Sequence, residues 1–261
     1  MEPGQRRIVV VGAGSGIGAA TAAHFHERGD HVLAVDIRPG ETPASRHEQC
    51  DLRDPAAIAA LLERIGSGWD LLTYVAGLPG TAPDLDVLTV NYLGMRRTIE
   101  GMLPLLRAGG AVVTVASTAA TGWQLRLPDL TGLLAATDDE ALRSWWATQD
   151  SSYPAYHTSK QAAVIYTKRL ASTAWQKYGV RVNTVSPGPT RTPILADFET
   201  SMGKDALDIL ATTVGRHATV DDIVPAIAFL GSPEARWITG QDIQVDGGFV
   251  GGLSAGSPII L

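Results

Sequence analysis

The sequence predicts an α/β protein, a single domain built on a doubly wound parallel sheet flanked by helices. Three observations carry this. The β-branched run Ile8-Val9-Val10-Val11 passes into Gly12-Ala13-Gly14-Ser15-Gly16-Ile17-Gly18 and then into the helical pattern of Ala19–Ala23. Apolar strands and helical stretches then alternate along the whole chain. Finally, Gly12, Asp36, Ala76-Gly77 and Ser117 all fall where strands should end. Open parallel sheets bind ligands beyond those carboxyl ends.

Taken in order, Ile8–Val11 reads as a strand buried on both faces, because it has no polar alternation. Glycines after it let the backbone turn sharply, and the following helix start offers free N–H groups to a phosphate. Gly29 suits a helix stop, and His31–Asp36 is a second strand ending in an acid. Asp54-Pro55 starts a helix over 56–65, with Asp as cap and Pro at the first position. Strand 69–75 leads to Ala76-Gly77, a helix from about Asp84 to Leu106 carries Asn91, and strand 111–116 ends at Ser117.

From 121 to 152 the pattern changes, with Trp123, Leu125, Leu127, Trp145 and Trp146 among prolines and acids. An excursion of this length either covers a surface or serves a site. Packing, subunit contact and a substrate-pocket wall beginning at Trp123 all stay open. Thr137 or Asp138 could cap a short helix there. Helix 154–177 follows with Pro154 as its first residue, then strand 180–185 and the rigid run Ser186–Pro193. Residues 190–216 read as a mobile lid over the substrate. A helix over 221–230, a strand over 242–245 and a glycine-rich end complete the chain.

The chain has 261 residues, 45% of them hydrophobic, with mean hydropathy +0.07 and net charge −6. That suits a globular domain with a large core and argues against nucleic-acid or anionic-membrane partners. Cys50 is the single cysteine, so no intrachain disulfide can form. The first apolar run is too short for a signal core or membrane span, which points to the cytoplasm. Histidines are scattered without ligand spacing, so no metal is expected.

Tyr156 and Lys160 are four residues apart, so on a helix they share one face. An ammonium beside a phenol favours the phenolate, giving a base usable near neutral pH. Asp36 can accept hydrogen bonds from ribose hydroxyls and repel a 2′-phosphate. Arg126 and Arg191, placed near the expected pocket walls, keep a carboxylate substrate open.

The chain resembles the short-chain dehydrogenase/reductase family over nearly its full length. The motifs stand in the family's order: Gly12-xxx-Gly16-x-Gly18, Asp36, Asp51-Leu52, Ala76-Gly77, Asn91, Ser117, Tyr156-xxx-Lys160 and Pro187-Gly188-xxx-Thr192. The resemblance implies a Rossmann-like fold and a reversible hydride transfer between an alcohol and NAD(H). It implies catalytic roles for Asn91, Ser117, Tyr156 and Lys160. It assigns cofactor contacts to Gly12, Ser15, Gly16, Ile17, Gly18, Asp36, Asp51, Leu52, Ala76, Gly77, Tyr156, Lys160, Pro187, Gly188, Thr190 and Thr192. In that scheme Asn91 reaches Lys160 through water; a purely structural Asn91 is the competing reading.

Two departures stand out. Val11 replaces the family's usual threonine, and Tyr74-Val75-Ala76-Gly77 replaces Asn-Asn-Ala-Gly. The insertion and Asp36-Ile37-Arg38 look like the branch of bacterial 3α-hydroxysteroid dehydrogenase/carbonyl reductases and of coniferyl-type alcohol dehydrogenases. In the steroid-type branch such an insertion obstructs the usual helix-bundle subunit contact. A homodimer or homotetramer would then use a surface near the last helix and strand. The implied substrate is a small hydrophobic, cyclic alcohol or ketone. Aromatic or terpene primary alcohols, dihydrodiols and a non-catalytic dinucleotide sensor are the alternatives.

Overall fold

The computed structural model describes residues 5–38, 40–150 and 152–256. Residues 1–4, 39, 151 and 257–261, which include both ends of the expected 1–261 domain and one insertion residue, lie outside the described residues. Seven parallel strands form one sheet in the order β3-β2-β1-β4-β5-β6-β7. They are β1 (Arg7–Val11), β2 (His31–Asp36), β3 (Arg46–Gln49), β4 (Trp69–Tyr74), β5 (Leu106–Val115), β6 (Arg181–Pro187) and β7 (Asp242–Val245). The strand order reverses between β1 and β4, which opens a crevice above their carboxyl ends. The sheet and helices form the expected Rossmann-like single domain.

Helices cover both faces: α1 (Gly16–Glu27), α2 (Pro55–Ile65), α3 (Asp84–Leu88), α4 (Met95–Met102), α5 (Thr131–Ala135) and α6 (Asp139–Trp146). They continue with α7 (Ala155–Tyr178), α8 (Leu195–Met202), α9 (Lys204–Val214), α10 (Val220–Leu230) and α11 (Phe249–Ser254). Strand β1 is apolar from Ile8 to Val11 because both its faces are covered: Ile8 and Val10 pack on one core with Phe25 and Ile227, Val9 and Val11 on the other with Leu61 and Tyr92. No helix among the described residues is long and apolar enough to cross a membrane.

Several boundaries differ from expectation for identifiable reasons. Strand β3 is an exposed edge of Arg-His-Glu-Gln, so no apolar pattern announces it. Pro154 is the cap of α7 and not its first residue; its backbone is extended, and Tyr156 still lies in the first turn. The expected helix 84–106 is broken. A π-turn, Thr89–Gly94, separates α3 from α4, and β5 begins at Leu106. The glycine-rich end carries α11, which low helix propensity conceals.

The insertion lies over the helices. Arg96 on α4 donates to the carbonyls of Leu134 and Ala136 at 3.0 and 2.9 Å, and Arg97 pairs with Asp139 at 3.2 Å. Leu130, Leu133 and Leu142 are completely buried in the core cluster that also holds Tyr92. Asp138 caps α6, accepting from the Ala141 N–H at 2.8 Å.

Candidate active site

A cavity of about 870 Å³ runs across the carboxyl ends of the strands. Every residue assigned above to catalysis or cofactor contact lines it except Asn91, which lies directly behind.

One end is built by the glycine turn. Gly12 (φ +87°) turns β1 out of the sheet, and a Cβ there would lie 2.4 Å from the Ala76 nitrogen. At Gly18 a Cβ would stand 1.9 Å from the Gly12 carbonyl oxygen, so no side chain fits. Ser15 caps α1 without a side-chain hydrogen bond, leaving the helix start open toward the cavity. Val11, where a threonine would be usual, works through its backbone: its carbonyl accepts from the N–H groups of Val75 and Ala76 at 2.8 and 3.0 Å. The Asp36 carboxylate accepts from Gly14 N–H at 2.9 Å and Arg38 N–H at 3.2 Å, so it also fastens the turn. Asp51 is held by Arg53 at 2.8 Å, whose hydrogen bond lowers its pKa.

The cradle fits a nicotinamide dinucleotide. Its walls tolerate no Cβ at the turn, an unblocked helix start faces it, and an acid stands at the β2 end. Pro187, Gly188, Thr190 and Thr192 form the opposite wall. Thr190 Oγ1 donates to the Gly188 carbonyl at 2.8 Å, and a Cβ on Gly16 would lie 3.2 Å from the Thr192 side chain.

At the other end, α7 presents Tyr156 (9% exposed) and Lys160 (5%) from one face. Lys160 Nζ lies 5.7 Å from the Tyr156 ring centroid and donates to the Val115 carbonyl at 3.0 Å. Ser117 follows β5, its Oγ accepting from the Ala119 N–H at 3.1 Å. Burial pushes the Tyr156 phenol up to about 12, against a hydrogen-bonding pull from Ser117 in the other direction. Burial brings the Lys160 ammonium down to about 8. Burial governs both groups. This differs from the expectation that the Lys160 ammonium lowers the phenol's pKa, to which the nicotinamide charge would add.

Asn91 (2% exposed) sits in the π-turn. Its Oδ1 accepts from Leu78 N–H at 2.7 Å, while Nδ2 donates to the Leu78 carbonyl at 3.0 Å and to Ser159 Oγ at 3.2 Å. A Cβ on Gly77 would lie 3.4 Å from Asn91 Oδ1 and 3.5 Å from Lys160 Nζ, so the two polar groups flank that glycine.

Of the readings left open for the insertion, the structure favours packing: no described residue between 120 and 155 lines the cavity, and Trp123 packs on Val164 and Ala120, with Lys168 over its ring. The insertion covers helices because its apolar residues meet α4 and α7. Arg126 and Arg191 do not line the cavity either. The Arg126 guanidinium lies 3.5 Å from the Tyr153 ring centroid and its Nε bonds Asp129 at 3.0 Å.

The charged lining groups Asp36, Arg38, Glu41, Asp51 and Arg53 come from the loops after β2 and β3, leaving Lys160 as the charged side chain near Tyr156. Phe198 on α8, absent from the sequence reading, has its ring centroid 5.0 Å from that of Tyr156. Leu78, Ile194 and Leu207 also line the cavity. An aromatic in a poorly helical stretch gave no sign of this contact. Helix α8 is tied to the segment after β4 by Thr81 Oγ1 donating to Asp197 Oδ1 at 3.1 Å.

Tyr156 and Lys160, both buried, and the half-buried Ser117 thus stand at one end of a cleft whose other end is the glycine turn. The chain belongs to the short-chain dehydrogenase/reductase family. Residues 6–126 match the short chain dehydrogenase model, and 144–250 match the enoyl-(acyl carrier protein) reductase model. It is 33% identical to a coniferyl-alcohol dehydrogenase of Pseudomonas sp., over 95% of this chain and 98% of the relative. It is 32% identical to the 3-alpha-hydroxysteroid dehydrogenase/carbonyl reductase of Comamonas testosteroni, over 92% and 95%. The crystal structure of the 3-alpha-hydroxysteroid dehydrogenase from Pseudomonas sp. complexed with NADH superposes with TM-score 0.83 at 31% identity, covering 97% of this chain and all of that one.

Proposed function

We propose that the protein is an NAD(H)-dependent alcohol dehydrogenase/carbonyl reductase acting on a small, neutral, hydrophobic and cyclic substrate. The observation that carries this is the convergence of Ser117, Tyr156 and Lys160 at one end of a cavity whose other end is the Gly12–Gly18 turn and Asp36. When bound, the cofactor supplies the hydride acceptor or donor at nicotinamide C4.

Ser117 Oγ holds the substrate oxygen within proton-transfer reach of Tyr156. In oxidation the Tyr156 phenolate takes the carbinol proton; in reduction the phenol returns one to the carbonyl oxygen. The Lys160 ammonium supplies positive charge beside the phenol and holds the nicotinamide ribose, with Asn91 linked to it through water. A phenol pushed up to about 12 stays protonated at neutral pH, the form that reduction requires. For oxidation it needs the added charge of the oxidised nicotinamide ring to ionise. Phe198 keeps water from the phenol.

Asp36 supports NAD(H) over NADP(H), as its carboxylate faces the turn where a 2′-phosphate would sit. With Lys160 committed to the catalytic group, the otherwise uncharged lining around Tyr156 supports a neutral substrate. Primary aromatic or allylic alcohols form the second reading, favoured by the likeness to a coniferyl-alcohol dehydrogenase. Residues 190–216 act as the substrate lid. A second copy docks beside edge strand β7, where Trp237 (84% exposed), Ile243 and Phe229 are uncovered.

The test is NADH absorbance with NAD⁺ or NADP⁺ and a panel of steroid, aryl, terpene and cyclic alcohols. Tyr156→Phe should cost roughly 10²- to 10⁴-fold in turnover while NADH affinity holds. Near-normal turnover in that variant, or inactivity of the native enzyme across the panel, would overturn the reading.

A further inference from the structure

Tyr74 stands where the family carries an asparagine, and its side chain is occupied. It is the last residue of β4, 1% exposed. Its hydroxyl donates to the Val90 carbonyl at 2.7 Å in a buried contact. Burial pushes its ionisation far up, so it remains a donor throughout the working pH range.

Val90 belongs to the π-turn Thr89–Gly94. The hydrogen-bond register there is five residues in place of four, and a donor inserted from another element is one way such a turn is held open. The far end of the turn is fixed sterically: a Cβ on Gly94 would lie 2.6 Å from the Leu52 carbonyl oxygen. Between these two anchors lies Asn91, whose carboxamide grips both backbone groups of Leu78. Leu78 and Gly77 line the cavity, and Gly77 is flanked by Asn91 Oδ1 and Lys160 Nζ. A helix advances about 100° per residue, so relaxation to α register would swing the carboxamide off Leu78.

We propose that Tyr74 is a positioning residue for the hydride-transfer site: its bond to Val90 keeps the π-turn open, and the open turn aims Asn91 at Leu78 beside Lys160. The inference rests on the reading of Asn91, Tyr156 and Lys160 given above. It makes the loss of the asparagine a substitution of means, with a phenol reaching across to the turn.

The experiment is a double-mutant cycle of Tyr74→Phe and Asn91→Ala, with active sites counted by NADH fluorescence. Each single variant should lower kcat roughly 10- to 100-fold, the scale of a small misplacement, with NADH affinity changed by less than about threefold. The double variant should be no slower than the slower single one. Multiplying effects, or a Tyr74→Phe enzyme with native kcat, would overturn the proposal, since a loss of general stability adds independently.

Amide exchange at Leu78 gives a readout that needs no turnover. It should rise in Tyr74→Phe as it does in Asn91→Ala, and unchanged protection in Tyr74→Phe refutes the link. If the native enzyme oxidises no alcohol, the functional reading falls while Leu78 exchange still decides the role of Tyr74. If Tyr74→Phe does not fold, the native protein decides. The Leu78 amide must then exchange no faster than that of Met95 just beyond the turn, and faster exchange rejects the coupling.

Discussion

Replacing Lys160 with methionine exchanges a buried ammonium for an apolar chain of similar length. The folded-state value of about 8 lies below the ordinary lysine value of 10.5, so between these limits the native state holds fewer protons than the unfolded chain. Stability therefore rises with pH across that window, and below about pH 8 the ammonium imposes its whole penalty. At roughly 1.4 kcal/mol per pH unit, that penalty is about 3 kcal/mol at pH 7 and most of it is gone by pH 10. Methionine also orphans the Val115 carbonyl, which costs about 1–3 kcal/mol, but at every pH alike. The difference between variant and native protein isolates the lysine. Urea unfolding at pH 7 and pH 10, at fixed protein concentration, should show the advantage of Lys160→Met shrinking by about 2–3 kcal/mol. A difference that stays constant would mean that the ammonium is solvated in the fold and that burial does not govern this site.

Three further outcomes follow from the geometry. Gly18→Ala places a methyl 1.9 Å from the Gly12 oxygen, so NADH binding measured by fluorescence should weaken by roughly two orders of magnitude; native affinity would remove this turn from the cofactor site. Phe198→Ala admits water to Tyr156 and relieves the burial that raises its pKa, so the alkaline limb of kcat/KM for carbonyl reduction should move to lower pH, and an unmoved limb would show that Phe198 does not shield the phenol. Trp237→Glu should shift sedimentation toward the monomer, whereas an unchanged assembly would put the subunit contact elsewhere.

What could be read in advance followed from chain-local physics. Strands β1 and β2 announce themselves because burial on both faces demands unbroken apolar runs. The glycine turn was legible because only glycine serves where the backbone packs on itself, as at Gly18. Tyr156 and Lys160 were legible because helical spacing fixes a shared face. The rest depends on partners distant in sequence. Strand β3 is defined by its pairing with β2, Phe198 by the docking of α8, and the π-turn by Tyr74 reaching Val90. The pKa values of Tyr156 and Lys160 depend on how deeply the fold buries them, which four-residue spacing cannot express.

The insertion lies on α4 and α7, and none of its described residues lines the cavity. Chemistry and outer shape are thereby assigned to separate stretches of one chain. Residues 121–150 are free to drift in sequence, provided Leu130, Leu133 and Leu142 stay apolar, without retuning the reaction. Directed evolution of selectivity should leave that stretch alone and diversify Leu78, Ile194, Phe198 and Leu207, whereas a search for heat tolerance has the opposite map.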